Sequence, residues 1–507
     1  MVGKTMKVTF IYLGITTDAI GIRILSSILR QQGYQTQLIF LPTIKDLCRR
    51  TIGGIYSYDE DVLNKVVNLC QESQLIGISL MTHHYTIAKL FTEELKRRVS
   101  APVIWGGIHP TVNSEECLET ADLVCIGEGE TSVPELVRRL ENGEDVAGIP
   151  GIWLKRDGRL LANGPGPLAQ DLDALPFPDY SFSDHHLLVN EVLQPMTVDN
   201  WYTHLCRFTP PLNFSQPPKP AYQILSARGC PFVCTFCGEA PLMSSKNYGR
   251  RYFRKRSIDN VIKELQWVKD TFSFVGEVCF CDDTFASRSL AEIKDFCHQY
   301  KEKINLPFYI LVSPVNVVQS KFDLLVDAGL TNIGMGIQSG SPKIIELYKR
   351  QRCGSPEQSL KAAHILNSYK GRLLPYYDFI VENPYETRED LLDTVRLLVD
   401  LPRPYVTRVY ALSFFPGTPL YEQASADGLL YSGMYEKTFG QRTQGGYLNF
   451  IIDMNKYNVP RPILKLLISE PFLKIFNKPA MDPFFLAIHR TLKWLAMKLG
   501  FRRYGLT

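Results

Sequence analysis

Three closely spaced cysteines are the residues of this sequence best suited to chemistry. Cys230, Cys234 and Cys237 lie in C-x3-C-x2-C spacing within the stretch SARGCPFVCTFCG. Thiolates are the usual ligands of iron-sulfur clusters, and a four-iron cluster held by three of them leaves one iron free for a substrate. Zinc needs a fourth close ligand, and the nearest downstream candidates are Glu239 and then Cys279. The spacing predicts a catalytic 4Fe-4S cluster, with a zinc knuckle or three buried structural cysteines as alternatives.

The triplet resembles the signature of the radical S-adenosylmethionine (radical SAM) enzymes. Gly229 opens the stretch, and Phe236 precedes the last cysteine. The resemblance implies that S-adenosylmethionine binds the free iron through its amino and carboxylate groups. It also implies that Phe236 lies beside the adenine.

Further segments match the same family at the predicted carboxyl ends of strands, namely FCDDTF, GMGIQSGS and FPGTPL. By resemblance, Asp282, Asp283, Gln338 and Ser339 lie near the amino, carboxylate or ribose groups of S-adenosylmethionine. Carboxylates suit this role because they accept hydrogen bonds from an ammonium group and from ribose hydroxyls. Alternatively, the acidic residues cap the following helix. The segment YDFIVENPYET departs from the family's usual G-x-P, with Glu382 in place of the glycine.

A second group of candidates lies in the first 140 residues, where glycines and hydroxyl side chains follow predicted strands. Such glycines let a bulky ligand approach the backbone. A binding site for a generic nucleotide would show the same pattern. The segments WGGIHPT and GEGE, however, resemble the cobalamin-binding domain of the cobalamin-dependent radical SAM family. The resemblance assigns cobalamin to Ser79, Thr82, Gly106, Gly107, His109, Thr111, Gly127 and Glu128.

The lower-ligand motif of classical cobalamin modules, D-x-H-x-x-G, is absent from this region. The best local match begins at Asp18 and has Ile20 where the histidine would stand. The resemblance therefore implies cobalamin bound without a histidine on the cobalt. His83, His84 and His109 are interpreted as pocket residues, since an imidazole near a loop usually finds a hydrogen bond.

The fold class predicted from the alternation of apolar strands and amphipathic helices is α/β. An N-terminal doubly wound, Rossmann-like domain is followed by a partial (β/α)6 barrel, whose chemistry is expected at the carboxyl ends of its strands. A helical C-terminal tail completes the chain. Trp201, Tyr202 and His204, in the Pro-rich connector, are candidates to cap the active site. The predicted boundaries are 1–145 for the cobalamin-binding domain, 146–221 for the connector, 222–440 for the radical SAM domain and 441–507 for the tail.

The 507 residues, 45% of them hydrophobic and 21% charged, have the composition of a soluble globular protein, and a cytoplasmic location is expected. No stretch resembles a signal peptide or a membrane span, so the twelve cysteines are expected to stay reduced. Residues 456–507 carry ten basic and two acidic residues, so the tail holds +8 while the whole chain is +4. A nucleic-acid groove across the main body is therefore not expected.

The tail combines this charge with an apolar helical face that begins at Phe484 and Ile488 and continues through Leu492, Leu495 and Leu499. Such a helix suits peripheral contact with an anionic membrane. The alternative is a helix packed over the barrel with a solvated basic back.

The predicted function follows from the resemblance. A reduced cluster cleaves S-adenosylmethionine to a 5′-deoxyadenosyl radical, and the substrate carbon is methylated from methylcobalamin. The substrate is expected to be a small or lipid-like molecule, and the electron donor a protein such as flavodoxin or ferredoxin. Two alternatives are a radical cyclase or oxidase of the anaerobic porphyrin cyclase type, and a non-catalytic cobalamin or cluster carrier.

Overall fold

The computed structural model describes residues 6–14, 17–42, 50–52, 55–205, 207–208, 219–244, 248–430, 446–488 and 491. The chain divides into two compact units. The first comprises Met1–Cys206, Cys237–Glu264 and Phe414–Glu436, and the second Arg207–Phe236, Leu265–Ser413 and Lys437–Thr507. Within the described residues, no helix combines the length and the apolar character needed to cross a bilayer.

The first unit is built on a nine-stranded sheet of order β11-β10-β2-β1-β5-β6-β7-β8-β9. Its central strands, from β2 to β7, are all parallel. This order is that of a doubly wound sheet, in which the connections reverse direction between β1 and β5. The strands are β1 (Lys7–Tyr12), β2 (Gln35–Phe40), β3 (Arg50–Ile52), β4 (Ile55–Ser57), β5 (Leu75–Ser79), β6 (Val103–Gly106), β7 (Leu123–Cys125), β8 (Ile152–Arg156), β9 (Arg159–Leu161), β10 (His185–Val189) and β11 (Val192–Pro195).

Helices cover both faces of this sheet. One face packs on α2 and α3 through a continuous apolar core. The other face packs on α1, whose Ser26 hydroxyl lies 2.7 Å from that of Thr36 in β2. The helices are α1 (Ile20–Gln31), α2 (Glu60–Cys70), α3 (Tyr85–Lys96), α4 (Ile108–Val112), α5 (Ser114–Cys117), α6 (Ser132–Asn142) and α7 (Val198–Thr203).

The region predicted as a connector contributes four strands to the first sheet. β8 and β9 extend it beyond β7, while β10 and β11 extend it beyond β2. The prediction of a spacer missed them because the many prolines mask short strands at the sheet's edges. Trp201, predicted as a possible cap of the active site, is fully buried against Tyr180 and Phe182 and serves the core.

The second unit contains a seven-stranded sheet of order β12-β13-β16-β17-β18-β19-β20, in which β13 to β20 form six parallel strands. This matches the predicted partial (β/α)6 barrel. The remaining strands are β12 (Arg207–Phe208), β13 (Lys219–Ile224), β14 (Ala227–Arg228), β15 (Arg254–Lys255), β16 (Glu277–Phe280), β17 (Phe308–Val312), β18 (Leu330–Gln338), β19 (Leu374–Val381) and β20 (Val406–Ala411). The remaining helices are α8 (Ile258–Thr271), α9 (Leu290–Lys303), α10 (Gln319–Asp327), α11 (Pro342–Leu347), α12 (Pro356–Asn367), α13 (Arg388–Asp400), α14 (Pro419–Ala426), α15 (Tyr447–Lys456), α16 (Arg461–Leu467) and α17 (Glu470–Phe476).

Alternation along these strands separates an outer face from an inner face. Phe280 and Phe308 point outward and pack on Phe296 of α9. The side chains of the inner face form a separate cluster at the amino-terminal half of the strands. Its buried members are Ala221, Cys279, Tyr309, Leu374, Tyr376 and Val406. This cluster fills the base of the half-barrel and leaves the carboxyl ends for a site.

Glu277, the first residue of β16, makes stability depend on pH. It is 5% exposed, and burial raises its pKa to about 8, opposed by Lys219. Because the folded protein holds this proton more tightly than the unfolded chain, the contribution of Glu277 to stability is greatest below its unfolded pKa and falls by about 3 kcal/mol by pH 7. We expect Glu277→Gln to raise the thermal midpoint at pH 8.5 but not at pH 4.5. An equal change at both pH values would contradict this.

Candidate active site

The cysteine triplet begins just beyond β13 and is held by the carboxylate of Asp282. That carboxylate accepts hydrogen bonds from the backbone N–H of Ser226 at 2.6 Å and of Ala227 at 3.0 Å. Arg288 supports the same turn by donating to the Ser226 carbonyl at 2.8 Å. Gly229 then takes φ +78°, a left-handed conformation that favours glycine. Asp282, which the resemblance assigned to S-adenosylmethionine, is thus engaged in shaping the cysteine loop.

Further along the loop, Thr235 fixes it to the end of α11. Its N–H donates to the Tyr348 carbonyl at 3.1 Å, and its hydroxyl donates to the Leu347 carbonyl at 2.8 Å. Phe236 packs edge to face on Tyr348, with ring centroids 4.8 Å apart. Phe236 remains partly exposed.

Cys234 lies in an electropositive environment. It is 7% exposed, and its Sγ is 3.4 Å from Nη1 of Arg350 and 3.6 Å from Sγ of Cys353. The hydrogen bond with Cys353 and the guanidinium of Arg350 lower the pKa of Cys234 to about 6, although burial opposes the shift. Since the thiolate is the form that binds iron, the loop is suited to a cluster.

Cys230 and Cys237 are partly exposed, so these two thiols remain accessible for ligation. Among the described residues, no three histidine, cysteine or carboxylate side chains converge tightly enough to bind a single metal ion. A four-iron cluster places its anchoring sulfurs on different irons, so its ligands need not meet at one point. Three accessible or activated thiols in eight residues fit such a cluster.

Arg350 was missed by sequence reasoning. It is 6% exposed, and its Nη2 donates to the Gly336 carbonyl at 2.6 Å. Its Nε has no hydrogen-bond partner in the described part of the chain. Arg350 lies in the sequence KRQRC, among other basic residues of the kind usually exposed to solvent. No feature of the neighbouring sequence therefore indicated its role.

Two rim residues adopt backbone conformations that favour glycine. Gln338 has φ +72° at a register shift between β18 and β19, and Glu382 has φ +56° just after β19. Non-glycine residues with positive φ concentrate at functional sites, because surrounding structure must compensate the strain. Glu382 therefore takes a left-handed conformation at the position where the family's G-x-P segment has glycine.

The other predicted S-adenosylmethionine residues differ in accessibility. Asp283 is exposed at the rim and is available to a ligand. Ser339 is fully buried; its hydroxyl lies 3.1 Å from that of Thr394 and accepts the Ser341 N–H. Ser339 therefore supports the turn beneath the rim, whereas Gln338 is partly exposed and Asp283 is exposed.

A polar layer spans the half-barrel above its apolar base. Arg408 forms a bidentate pair with Asp378, at 2.5 and 2.9 Å, and its Nη2 lies 3.3 Å from the Tyr309 hydroxyl. A Cβ on Gly334 would come within 2.8 Å of Arg408, so this glycine makes room for the pair. Sequence reasoning missed the layer because the partners lie on different strands.

In the first unit, the described polar groups suited to a ligand follow β1 and β5, the two strands that flank the switch point. The Thr17 hydroxyl and both ring nitrogens of His84 are buried and have no hydrogen-bond partner within the described residues. Buried polar groups are normally satisfied, and ligands of doubly wound sheets bind at such points. Burial lowers the pKa of His84 to about 3, so its ring is neutral and fits the amides of a large cofactor such as cobalamin.

The predicted glycine pair lies at the same edge. Gly107 is exposed, with φ +101°, and a Cβ there would come within 2.7 Å of the Leu80 carbonyl oxygen. Thr111 donates to the Gly107 carbonyl at 2.7 Å and accepts the Gly127 N–H at 3.0 Å. The Thr111 hydroxyl thus ties the loop after β6 to the loop after β7, and Gly107 lets the backbone of the loop after β6 approach Leu80 closely.

The remaining residues predicted to bind cobalamin differ in their exposure to solvent. Ser79 and Gly106 are partly exposed at this edge, whereas Thr82 and His109 are buried. Burial lowers the pKa of His109 to about 4, and its ring packs on Tyr85. Glu128 forms an ion pair with Arg254 in which both side chains are more than nine-tenths buried.

Comparison with known proteins identifies both domains. The B12 binding domain matches residues 6–137, and the Radical SAM superfamily matches residues 224–398. The two ranges together cover more than half of the chain. The protein therefore belongs to the cobalamin-dependent, B12-binding radical SAM enzymes, which use a 4Fe-4S cluster, S-adenosylmethionine and cobalamin.

Individual relatives agree with this assignment. An uncharacterised methyltransferase of Pyrococcus horikoshii is 28% identical over 418 residues, covering 80% of this chain and 78% of the relative. An anaerobic magnesium-protoporphyrin IX monomethyl ester cyclase of Synechocystis is 26% identical over 42% of this chain and 37% of its own. The radical SAM methyltransferase TsrM of Kitasatospora setae, solved with cobalamin and a 4Fe-4S cluster, has the same fold, with TM-score 0.63, 16% identity and coverage of 84% of this chain and 78% of TsrM.

Proposed function

We propose that this enzyme methylates an unactivated carbon of a small molecule. The observation that carries the proposal is the activated Cys234 loop in a chain that also contains a B12-binding domain. A methyltransferase matches 80% of this chain at 28% identity, whereas a cyclase match of the same extent reaches 22% identity. This favours methyl transfer over ring closure.

When bound, the cluster and S-adenosylmethionine supply a 5′-deoxyadenosyl radical, and cobalamin supplies the methyl group. The chain's own residues bind and orient these groups. The three cysteines hold the cluster, and the buried cation of Arg350 balances negative charge beside it. Its unpartnered Nε is suited to a carboxylate. Gln338 and Asp283 present an amide and a carboxylate to the polar groups of S-adenosylmethionine, and the partly exposed ring of Phe236 suits its adenine.

The polar layer provides a surface for the substrate. Nε and Nη2 of Arg408 donate to protein oxygens, while Nη1 donates to none within the described residues. A guanidinium fixed at two nitrogens is pre-organised to donate from the third. Since Asp378 compensates its charge, we infer that Arg408 orients an uncharged oxygen, such as a carbonyl, of the substrate.

The test is anaerobic reconstitution with iron, sulfide and cobalamin, followed by turnover with methyl-labelled S-adenosylmethionine, a flavodoxin as the one-electron donor and small-molecule extracts. Methylation is expected to place label on a product and to release S-adenosylhomocysteine together with 5′-deoxyadenosine. 5′-Deoxyadenosine without S-adenosylhomocysteine would instead indicate the cyclase type. Cofactor binding without any cleavage of S-adenosylmethionine would indicate a carrier.

We also propose that the protein contacts anionic membranes peripherally through a C-terminal patch. The patch consists of Ile463, Leu466, Ile475 and Phe484, each about half exposed although large and apolar. Exposed lysines accompany them at positions 465, 474 and 478. Apolar side chains flanked by cations are typical of interfacial segments. The remainder of the predicted tail helix, from Leu492 onward, lies outside the described residues.

Co-sedimentation with vesicles tests this contact. We expect binding to vesicles containing phosphatidylglycerol and about tenfold weaker binding after Leu466→Glu with Ile475→Glu, because both apolar contacts are lost. The matched control, Val192→Glu with Val198→Glu, alters similarly exposed valines of the first unit and should bind normally. Equal binding of all three proteins, or no binding of any, would refute the contact.

A further inference from the structure

We propose that Glu128 and Arg254 are positioning residues that anchor the chain segment following the third cluster cysteine, and that the G-E-G-E motif serves this anchor rather than cobalamin. The inference rests on the proposed cluster and cobalamin sites. It reassigns Gly127 and Glu128, which the family resemblance placed against cobalamin.

The anchor centres on a buried ion pair of the first unit. Nη1 of Arg254 donates to Oε2 of Glu128 at 2.9 Å, and Nη2 donates to Oε1. Nη1 also donates to the Ala169 carbonyl at 2.6 Å, and Nε to the Tyr252 carbonyl at 3.2 Å. Both side chains are less than 10% exposed. A bidentate pair with every guanidinium nitrogen engaged fixes position and orientation at once.

Gly127 serves the same segment. It has φ +78°, and a Cβ at this position would lie 2.0 Å from the Tyr248 hydroxyl. That hydroxyl donates to the Gly166 carbonyl at 2.9 Å, and the Tyr248 ring stacks on Tyr252 at 5.8 Å. The glycine is therefore required by a protein side chain that lies over it.

The contacts continue back toward Cys237. Leu242, five residues after this cysteine, packs in an apolar cluster with Leu168 and Tyr248, against which Ile108 is also packed. A Cβ on Gly238 would make ordinary contact, 3.6 Å, with Ile108. Ile108 belongs to the W-G-G-x-H-P-T motif, so both family motifs of the first unit contact the segment that begins at Cys237.

The position of the motif in the sheet supports this role. The G-E-G-E loop follows β7, whereas the switch point lies between β1 and β5. Thr17 and His84, whose buried side-chain groups have no hydrogen-bond partner among the described residues, flank that point. The carboxylate of Glu128 differs from them, because it accepts hydrogen bonds from Arg254 and from the Ala169 N–H at 3.1 Å.

Two measurements on the holoenzyme separate an anchor from a cobalamin ligand. Hydroxocobalamin titration gives the Kd, and an iron chelator gives the rate of cluster loss. For Glu128→Gln and Arg254→Met we expect a Kd within threefold of native and cluster loss about tenfold faster. The double variant should lose its cluster no faster than Arg254→Met alone, because the two residues act as one pair.

The control is Glu130→Gln, which alters the second glutamate of the motif and should leave both measurements at native values. A rise of tenfold or more in Kd for Glu128→Gln would make Glu128 a cobalamin ligand and overturn the inference. Unchanged cluster loss, or additive effects in the double variant, would also overturn it. Failure of the native protein to bind cobalamin or to hold a cluster would instead contradict the proposed function.

Discussion

Replacing Cys234 by alanine is expected to remove the brown colour of the anaerobically reconstituted protein and to reduce cleavage of S-adenosylmethionine to the level of a protein-free control. With two thiolates left, a second iron loses its protein ligand and the cluster is no longer held. Absorbance and iron content measure the cluster, and chromatography of 5′-deoxyadenosine measures cleavage. Cys230→Ala and Cys237→Ala should behave in the same way.

Cys297→Ala provides the matched control. This cysteine is buried in α9, and burial raises the pKa of its thiol to about 12, so it is inert. The control variant should retain full colour and cleavage. A brown, active Cys234→Ala protein would refute the assignment of the triplet, and so would a stoichiometric zinc ion on these thiols in protein from native cells.

Arg350→Met is expected to assemble a cluster but to cleave S-adenosylmethionine roughly 10- to 100-fold more slowly. The substitution keeps the apolar stem while removing a buried cation, and a hydrogen bond to a charged group is worth about 1.5–3 kcal/mol. The loss should appear mainly as weaker binding of S-adenosylmethionine, measured by the change in the cluster's electron paramagnetic resonance spectrum on titration.

Lys349→Gln is the control for this second experiment, because Lys349 is the adjacent residue, is exposed and carries the same charge. Its substitution should leave titration and cleavage unchanged. If Arg350→Met binds S-adenosylmethionine normally, the guanidinium acts only on the fold. If both variants lose binding equally, the effect comes from net charge at the surface.

In the fifth-strand segment, Glu382 stands where the family's G-x-P has glycine. Glu382 occupies the left-handed region, where a side chain is disfavoured. The next residue, Asn383, donates to the Tyr348 hydroxyl at 3.0 Å and accepts the Tyr385 N–H at 2.9 Å. These bonds hold the turn, and Tyr348 also carries Phe236. The substituted turn therefore supports the cysteine loop.

Much of the fold could be read from local pattern. The apolar pattern of β19 (Leu374–Val381) and the amphipathic spacing of α6 (Ser132–Asn142) are both visible in the sequence alone. Such segments are determined by neighbours one to four residues apart, which the sequence displays directly. The strands of the connector were not predicted, because they are short, lie at sheet edges and are separated by prolines.

The sequence pattern could not predict which side chains contact one another. Arg350 contacts Cys234, which is 116 positions away in the sequence, and Arg254 contacts Glu128, which is 126 positions away. Asp282 and Glu128 match family motifs, yet their carboxylates are occupied by protein donors. A motif shows which residue type occupies a position. The group that this residue contacts depends on how elements distant in the sequence pack together.

The sequence by itself determined the two domains, the cysteine triplet and the bounds of most strands and helices, since each is encoded in residues close together along the chain. Only the tertiary structure decided which motif residues face a ligand and which hold the protein together. The physical reason is that a buried charge or hydroxyl must be satisfied by whatever group folding brings beside it.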